Sequence, residues 1–212
     1  LANAIQILLN SIVSGLLLGL VAIGFTYIFR TTKVFHLAHG GVYVTSAFAC
    51  WWTLIKTNNW FAAIAFAIAV VVILIYLIEK TVYLPLNKKQ SNQSISLIAS
   101  MGLYVVIINV LVLLFGNENK IIDNSISSSY EMGNIILTRT QMIQLIIASV
   151  AAATFFIYLK LSKSNLVLQS ISDNETISKA YGINTNNERL KVLIAGSVLA
   201  CIAAILKTLE IG

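Results

Sequence analysis

The sequence predicts an all-α polytopic bundle of about six membrane-crossing helices, with the N-terminus outside, and three observations carry that prediction. Of 212 residues, 58% are hydrophobic and only 10% are charged, with mean hydropathy +0.87. An ordinary soluble domain carries roughly 25% charged residues, so this chain lacks the polar surface to cover a water-facing globule. Its apolar residues fall into six runs, about 8–29, 34–55, 61–78, 95–115, 141–159 and 191–209. Each is long enough for a helix that satisfies its own backbone across lipid. The cations, finally, sit at the ends of these runs. The formal net charge of +6 therefore reads as membrane orientation rather than as a nucleic-acid surface.

In the first run, Gly15-x-x-x-Gly19 is a small-xxx-small pattern that suits close helix packing, within the subunit or across a dimer. Ser11, Ser14 and Thr26 are expected to bond backbone carbonyls. The second run opens on His36, His39, Gly40 and Gly41. Ionisable groups at membrane depth are costly and tend to face a cavity or partner, and paired glycines permit an unwound backbone there. Ala38–Gly41 thus reads either as a helix break beside a solute path or as a site of close helix packing with the histidines bonded to nearby backbone. Two histidines without a third ligand do not make a metal site. Lys56–Trp60 forms a tight polar turn, and Trp51, Trp52 and Trp60 suit an aromatic belt.

The segment 79–94 reads as a connection holding Pro85, the only proline. Asn109 in the fourth run is expected to face another helix or a cavity. Segment 116–140 is a longer polar stretch with Glu118, Asp123, Glu131 and a serine run at 125–129. Cys50 and Cys201 lie inside apolar runs and read as small buried hydrophobes. Glu210 is expected at the external interface.

Grouping the connections gives the orientation. Arg30, Lys33, Lys80, Lys88, Lys89, Lys160, Lys163, Lys179, Arg189 and Lys191 fall on one side, and Lys56, Lys120, Arg139 and Lys207 on the other. Ten cations against four put the first side in the cytoplasm.

The connection 160–190 carries its own helix signals. Ser172 and Glu175 fit a capping box, and Asp173 adds negative charge at a helix N-terminus. Lys179 suits the C-terminal end, Gly182 the left-handed C′ position, and Ile183 can pack back on Ile177. A helix of about 173–181 results, with Ile177, Ala180 and Tyr181 on one face. That face needs cover from the protein's own helix ends, the lipid interface or a groove on a cytoplasmic partner.

Three stretches resemble a known family. Asn174-Glu175, six residues, then Gly182-Ile183-Asn184, before an apolar span rich in Ala and Gly, is similar to the coupling loop of permeases in branched-chain amino acid ABC transporters. Leu37-Ala38-His39-Gly40-Gly41-Val42-Tyr43 resembles the Ala-His-Gly segment of that family, and Leu97-Ile98-Ala99-Ser100-Met101-Gly102-Leu103 resembles its Ile-Ala-Thr-Ile-Gly-Leu. Order and approximate spacing agree over nearly the whole chain. Departures are Gly41 where the family commonly has Glu, His36 where it often has Asn, and Gln169-Ser170 where it usually has Arg.

The resemblance implies one transmembrane domain over 1–212. It also implies a second permease subunit, two ATPase subunits and a substrate-binding protein, in a bacterial cell membrane. His36, His39, Gly40, Gly41 and Asn109 are the candidates for the substrate path. Ser172, Asp173, Glu175, Ile177, Ala180, Tyr181 and Gly182 are those for coupling to the ATPase. No Gly-x-x-x-x-Gly-Lys-Ser/Thr occurs, so ATP and Mg are expected on the partner subunits, with no cofactor and no catalytic residue here. Branched-chain amino acids are the expected cargo, with urea, amides and other small polar solutes as alternatives. The start at Leu1 without Met, and the family's further spans, are expected of a piece of a longer chain.

Two other classes compete. A secondary transporter or channel wants membrane-embedded carboxylates, and every Asp and Glu reads as lying in a connection or at a run end. A membrane enzyme wants titratable groups at one depth, and only His36 and His39 offer themselves.

Overall fold

The computed structural model describes residues 2–89, 91–118, 129–132, 135–162 and 164–209. Expectations for Lys120, Asp123, the serines at 125–128, Lys163 and Glu210 fall outside them.

The apolar runs become helices, most of them extending past their runs, while α2 starts four residues into its own. The first is α1 (Ala2–Thr32), followed by a short connection in which Lys33 takes a left-handed φ of 55°. Next is α2 (Ala38–Thr57), and after only Asn58 and Asn59 the chain enters α3 (Trp60–Ile78). Asn58 ends α2 at φ 48°, and the Asn59 side chain accepts from the Phe61 and Ala62 amides to start α3. This is the tight polar turn the sequence predicts, with Lys56 Nζ 4.1 Å from the centre of the Trp52 ring.

The third helix corrects the reading of 79–94. It continues through a π-helical segment, Glu79–Tyr83, into α4 (Leu84–Lys88), so Pro85 sits inside a helix rather than in a loop. Pro85 has no N–H for the preceding turn, and that turn adopts the wider π register, with the Leu84 amide reaching the Glu79 carbonyl. Helix α5 (Gln93–Phe115) follows as expected. Segment 116–140 holds a feature the sequence reading missed, an antiparallel pair of strands, β1 (Ser129–Met132) and β2 (Ile135–Thr138). The Gly133-Asn134 dipeptide between them was its available signal. Thr138 and Gln141 then form a capping box that starts α6 (Arg139–Leu161).

The connection 160–190 holds two helices, α7 (Ser164–Asp173) and α8 (Glu175–Ala180), before α9 (Thr185–Thr208). Among the described residues, five helices are long and apolar enough to cross a membrane: Ile5–Thr32, Trp60–Lys88, Gln93–Phe115, Arg139–Leu161 and Thr185–Thr208. Helix α2, of 20 residues, is long enough but less apolar. It packs among α3, α5 and α9, where neighbours rather than lipid meet its polar groups. Thr45, Ser46 and Thr53 each return their hydroxyl to the carbonyl four residues back.

Helix α9 is the axis of the bundle. It contacts α1, α2, α3 and α6, and 61% of its span is buried against 17–28% for the other four. Its tightest crossing is with α1, where Gly24 and Gly196 meet backbone to backbone: a Cβ at Gly196 would stand 2.7 Å from the Gly24 carbonyl oxygen. The expected Gly15–Gly19 face has nothing within 4 Å, so packing inside this chain uses a different glycine of α1. Cys50 and Cys201 are fully buried and free, as expected.

One end of the bundle gathers the connections that the cation count groups together. Ser172 donates to the Arg30 carbonyl at 2.8 Å, and Asn87 to Glu175 at 3.0 Å. At the other end Gln141 reaches Asn10 at 3.0 Å.

Candidate functional site

Two of the three sequence motifs meet at the start of α2. Leu37 supplies no side-chain cap to that helix. Instead Ser100 of α5, 62 residues away, accepts the Ala38 amide at 3.0 Å. The same hydroxyl accepts from Tyr83 Oη at 3.0 Å, and Tyr83 Oη lies 2.7 Å from Nδ1 of the fully buried His36. A continuous polar chain thus links the motif around Ala38, the motif around Ser100 and the π-helical segment.

The backbone at Ala38–Gly41 is helical, which favours the close-packing alternative over the break: the interruption lies before it, at 33–37. The glycines serve close packing. A Cβ at Gly40 would come 3.3 Å from the Tyr104 ring, and one at Gly41 would come 3.2 Å from the Ile107 side chain.

Beside this junction, α1, α2 and α5 line an open-sided cavity of about 580 Å³. Its wall is mostly aliphatic and aromatic, with Leu18, Val21, Phe25 and Met101. Its polar groups are His36, His39, Thr26 and the Tyr104 hydroxyl. His39 is 3% exposed, and neither ring nitrogen finds a hydrogen bond of ordinary geometry, although the Val21 backbone faces the ring. A buried polar group in that condition costs about 1–3 kcal/mol. His36, His39 and Gly40 line this cavity together; Gly41 and Asn109 do not. Asn109 is exposed on α5 and donates to the Val105 carbonyl at 2.8 Å, and no described helix of this chain covers it. A second cavity of about 490 Å³ between α2, α3 and α5 is almost wholly apolar, and its Thr45 hydroxyl is already bonded to the Gly41 carbonyl.

The third motif builds the loop at the basic end. Asn174, not Ser172, caps α8, its side chain accepting the Ile177 amide at 3.0 Å. The predicted Ser172–Glu175 capping box is therefore absent, since Ser172 is committed to Arg30, and Asp173 closes α7 instead of opening α8. The stop signal is as expected. Gly182 has φ 80°, its amide bonds the Lys179 carbonyl, and the Ile183 amide bonds that of Ser178, the paired bonds of a Schellman motif. Asn184 caps α9 by accepting from Asn187. Ser178 is buried and pairs with Ser170 at 2.8 Å, which seats α8 on α7. Ile177, Ala180 and Tyr181 remain exposed, Tyr181 at 83%.

Glu175 points inward rather than at a partner. Its carboxylate accepts from Asn87 at 3.0 Å and Thr185 at 3.2 Å and pairs with Lys179 at 2.8 Å. Burial raises its pKa, but the Lys179 and Asn87 bonds and the Arg189 charge outweigh this and hold it below the ordinary carboxylate range. A depressed folded-state pKa gives stability that is present above the unfolded value and lost as pH falls through the folded one. The anchor therefore stands at neutral pH. Behind Glu175 lie Glu79, which sequence reasoning passed over, and Arg189, which it read only as one of the cations of this connection. Glu79 was legible only as a lone carboxylate ending an apolar run.

The family described as branched-chain amino acid transport system / permease component matches residues 7–212. The chain belongs to this family. It is 23% identical to the high-affinity branched-chain amino acid transport system permease protein BraD of Pseudomonas aeruginosa, over 98% of this chain and 72% of that one. It is 22% identical to the corresponding permease protein LivH of Escherichia coli K12 and 21% identical to LivH of Salmonella typhimurium, over 95% of this chain and 70% of each. No solved structure matches. The permease is thus a multi-pass membrane transport component.

Proposed function

We propose that this permease is the membrane-crossing subunit of an ABC importer that moves branched-chain amino acids inward, while separate subunits bind and hydrolyse ATP. The observation that carries the reading is α8. It is capped at both ends and seated on α7, yet it shows Ile177, Ala180 and Tyr181 to solvent at the basic end of the bundle. A short rigid helix with a bare apolar face suits a groove on an ATPase subunit. The N-terminus lies outside on this reading, and a binding protein and a second permease subunit complete the assembly. The chain acts as a conduit and not as an enzyme, with ATP chemistry left to the partners.

The cavity against α1 supports the cargo. Its aliphatic walls suit a branched side chain, and its few polar groups suit orientation of an amino acid's polar end. Urea or a small amide would leave most of that wall unmatched.

Replacing Ile177 and Tyr181 together with Asp tests the docking. Both are exposed, so the tagged permease is expected to accumulate normally while recovery of the copurifying ATPase subunit falls at least about tenfold, as for loss of an interface hot spot. Equal recovery with both residues changed would show that α8 is not the docking element.

A further inference from the structure

Glu79 and Arg189 are the buried Asp, Glu, Lys or Arg residues among those described, at 5% and 4% exposure. Arg189 lies early in the central helix α9, Glu79 begins the π-helical segment and Glu175 begins α8. Arg189 Nε stands 3.8 Å from Glu79 Oε1, and Arg189 Nη1 stands 3.9 Å from Glu175 Oε2. Charge-assisted hydrogen bonds close to about 2.7–2.9 Å, so the guanidinium is engaged fully with neither carboxylate. Both Glu79 oxygens and Arg189 Nε are buried without a hydrogen bond.

A buried ion pair held open in this way forfeits most of the attraction that would offset its desolvation. A movement of about 1 Å toward either carboxylate would restore a bond of ordinary length. The two carboxylates are not equivalent. Glu175 keeps Lys179, Asn87 and Thr185 if Arg189 leaves it. Glu79 has no such alternative among the described residues.

The cluster also stands between two places that matter. On one side Glu175 belongs to α8, whose outer face is bare. On the other, Glu79 shares its π-helical segment with Tyr83, which holds His36 in the cavity wall. A π turn is a register that a small shift can tighten, and such turns recur at functional sites.

We propose that Arg189 is a positioning residue shared between Glu175 and Glu79, and that movement of α8 transfers it to Glu79, shifting the π-helical segment and with it Tyr83 and His36 at the cavity. The relay rests on the reading of α8 as the ATPase contact. It assigns Glu175, Arg189 and Glu79 to transmission and leaves docking to Ile177 and Tyr181.

The test uses the assembled transporter, with its ATPase and binding-protein subunits, in proteoliposomes. Glu79→Gln keeps size and removes charge; Arg189→Lys keeps charge and removes the fork. Each is expected to retain assembly and basal ATP hydrolysis while uptake per ATP hydrolysed falls at least about tenfold. Spin labels at the exposed Thr81 and Thr176, with the buried Cys50 and Cys201 left in place, read the distance between the π-helical segment and α8. That distance is expected to change between nucleotide-free and ATP-trapped wild type and to stay constant in Glu79→Gln. An unchanged wild-type distance, or normal uptake per ATP in both single variants, would overturn the relay alone, and the wild-type distance decides even if the variants do not fold. A wild-type assembly that recovers no ATPase would overturn the reading of α8 and the relay with it.

Discussion

Gly24→Val is expected to prevent accumulation of folded permease, whereas Gly19→Val is expected to be tolerated. The two glycines are five residues apart on α1, and their surroundings differ completely. Around Gly19 there is open space, but a Cβ at Gly24 would fall on the Gly196 carbonyl of α9. The obstacle is backbone on both sides, so no rotamer change relieves it and the helices must separate. Overpacking of side chains alone costs about 1–3 kcal/mol. Forcing apart α1 and α9 adds the loss of the packing around Leu17, Leu20, Leu199 and Ala203. Helices in lipid hold together largely through such contact. Fluorescence-detected size exclusion in mild detergent should show aggregated or vanishing Gly24→Val and a monodisperse Gly19→Val. Equal behaviour of the two would contradict the crossing described for α1 and α9.

His39→Leu is expected to leave the permease as stable as the wild type or more so, and to cut transport at least about tenfold. The first half follows from ring nitrogens that face the Val21 backbone without a hydrogen bond of ordinary geometry: an apolar side chain of similar size removes a poorly satisfied buried polar group and its penalty. The second half follows from its place in the cavity wall with His36 and Gly40. A site that offers a polar group to its cargo discriminates strongly once that group is gone. Thermal melting of the purified protein and uptake by the assembled transporter measure the two halves. A variant that loses stability and uptake together would mark His39 as structural. One that keeps both would remove it from the solute path.

The helices were legible because an apolar run of bilayer length has few other uses. Their ends were not. Glu79–Lys88 and Thr185–Leu190 are helical but too polar to belong to a run, and Pro85 read as a loop because a helix-interior proline usually ends the helix. The loop motif was legible in kind, since Gly182 takes the predicted left-handed position. It failed in detail because Ser172 and Asn174 are both sound N-caps, and only the nearby Arg30 carbonyl, 142 residues away in sequence, decides between them. Small-residue packing failed for the same reason: Gly15 and Gly19 make a pattern on one helix, while Gly24 and Gly196 make a contact between two.

The cavity and the charge cluster depend still more on tertiary placement. His36, His39 and Gly40 were legible from their unusual presence in an apolar run. Tyr83 and Ser100, which hold His36 and the start of α2, carry no local signal of that role. Arg189 counted correctly as a cation at the basic end, but its burial between Glu79 and Glu175 appears only when α3, α8 and α9 come together.

The most direct measurement is uptake of radiolabelled leucine into proteoliposomes holding the permease with its ATPase subunits, supplied with the binding protein. The account predicts accumulation that requires ATP hydrolysis and is indifferent to an imposed ion gradient. Accumulation driven by a proton or sodium gradient without ATP would contradict it.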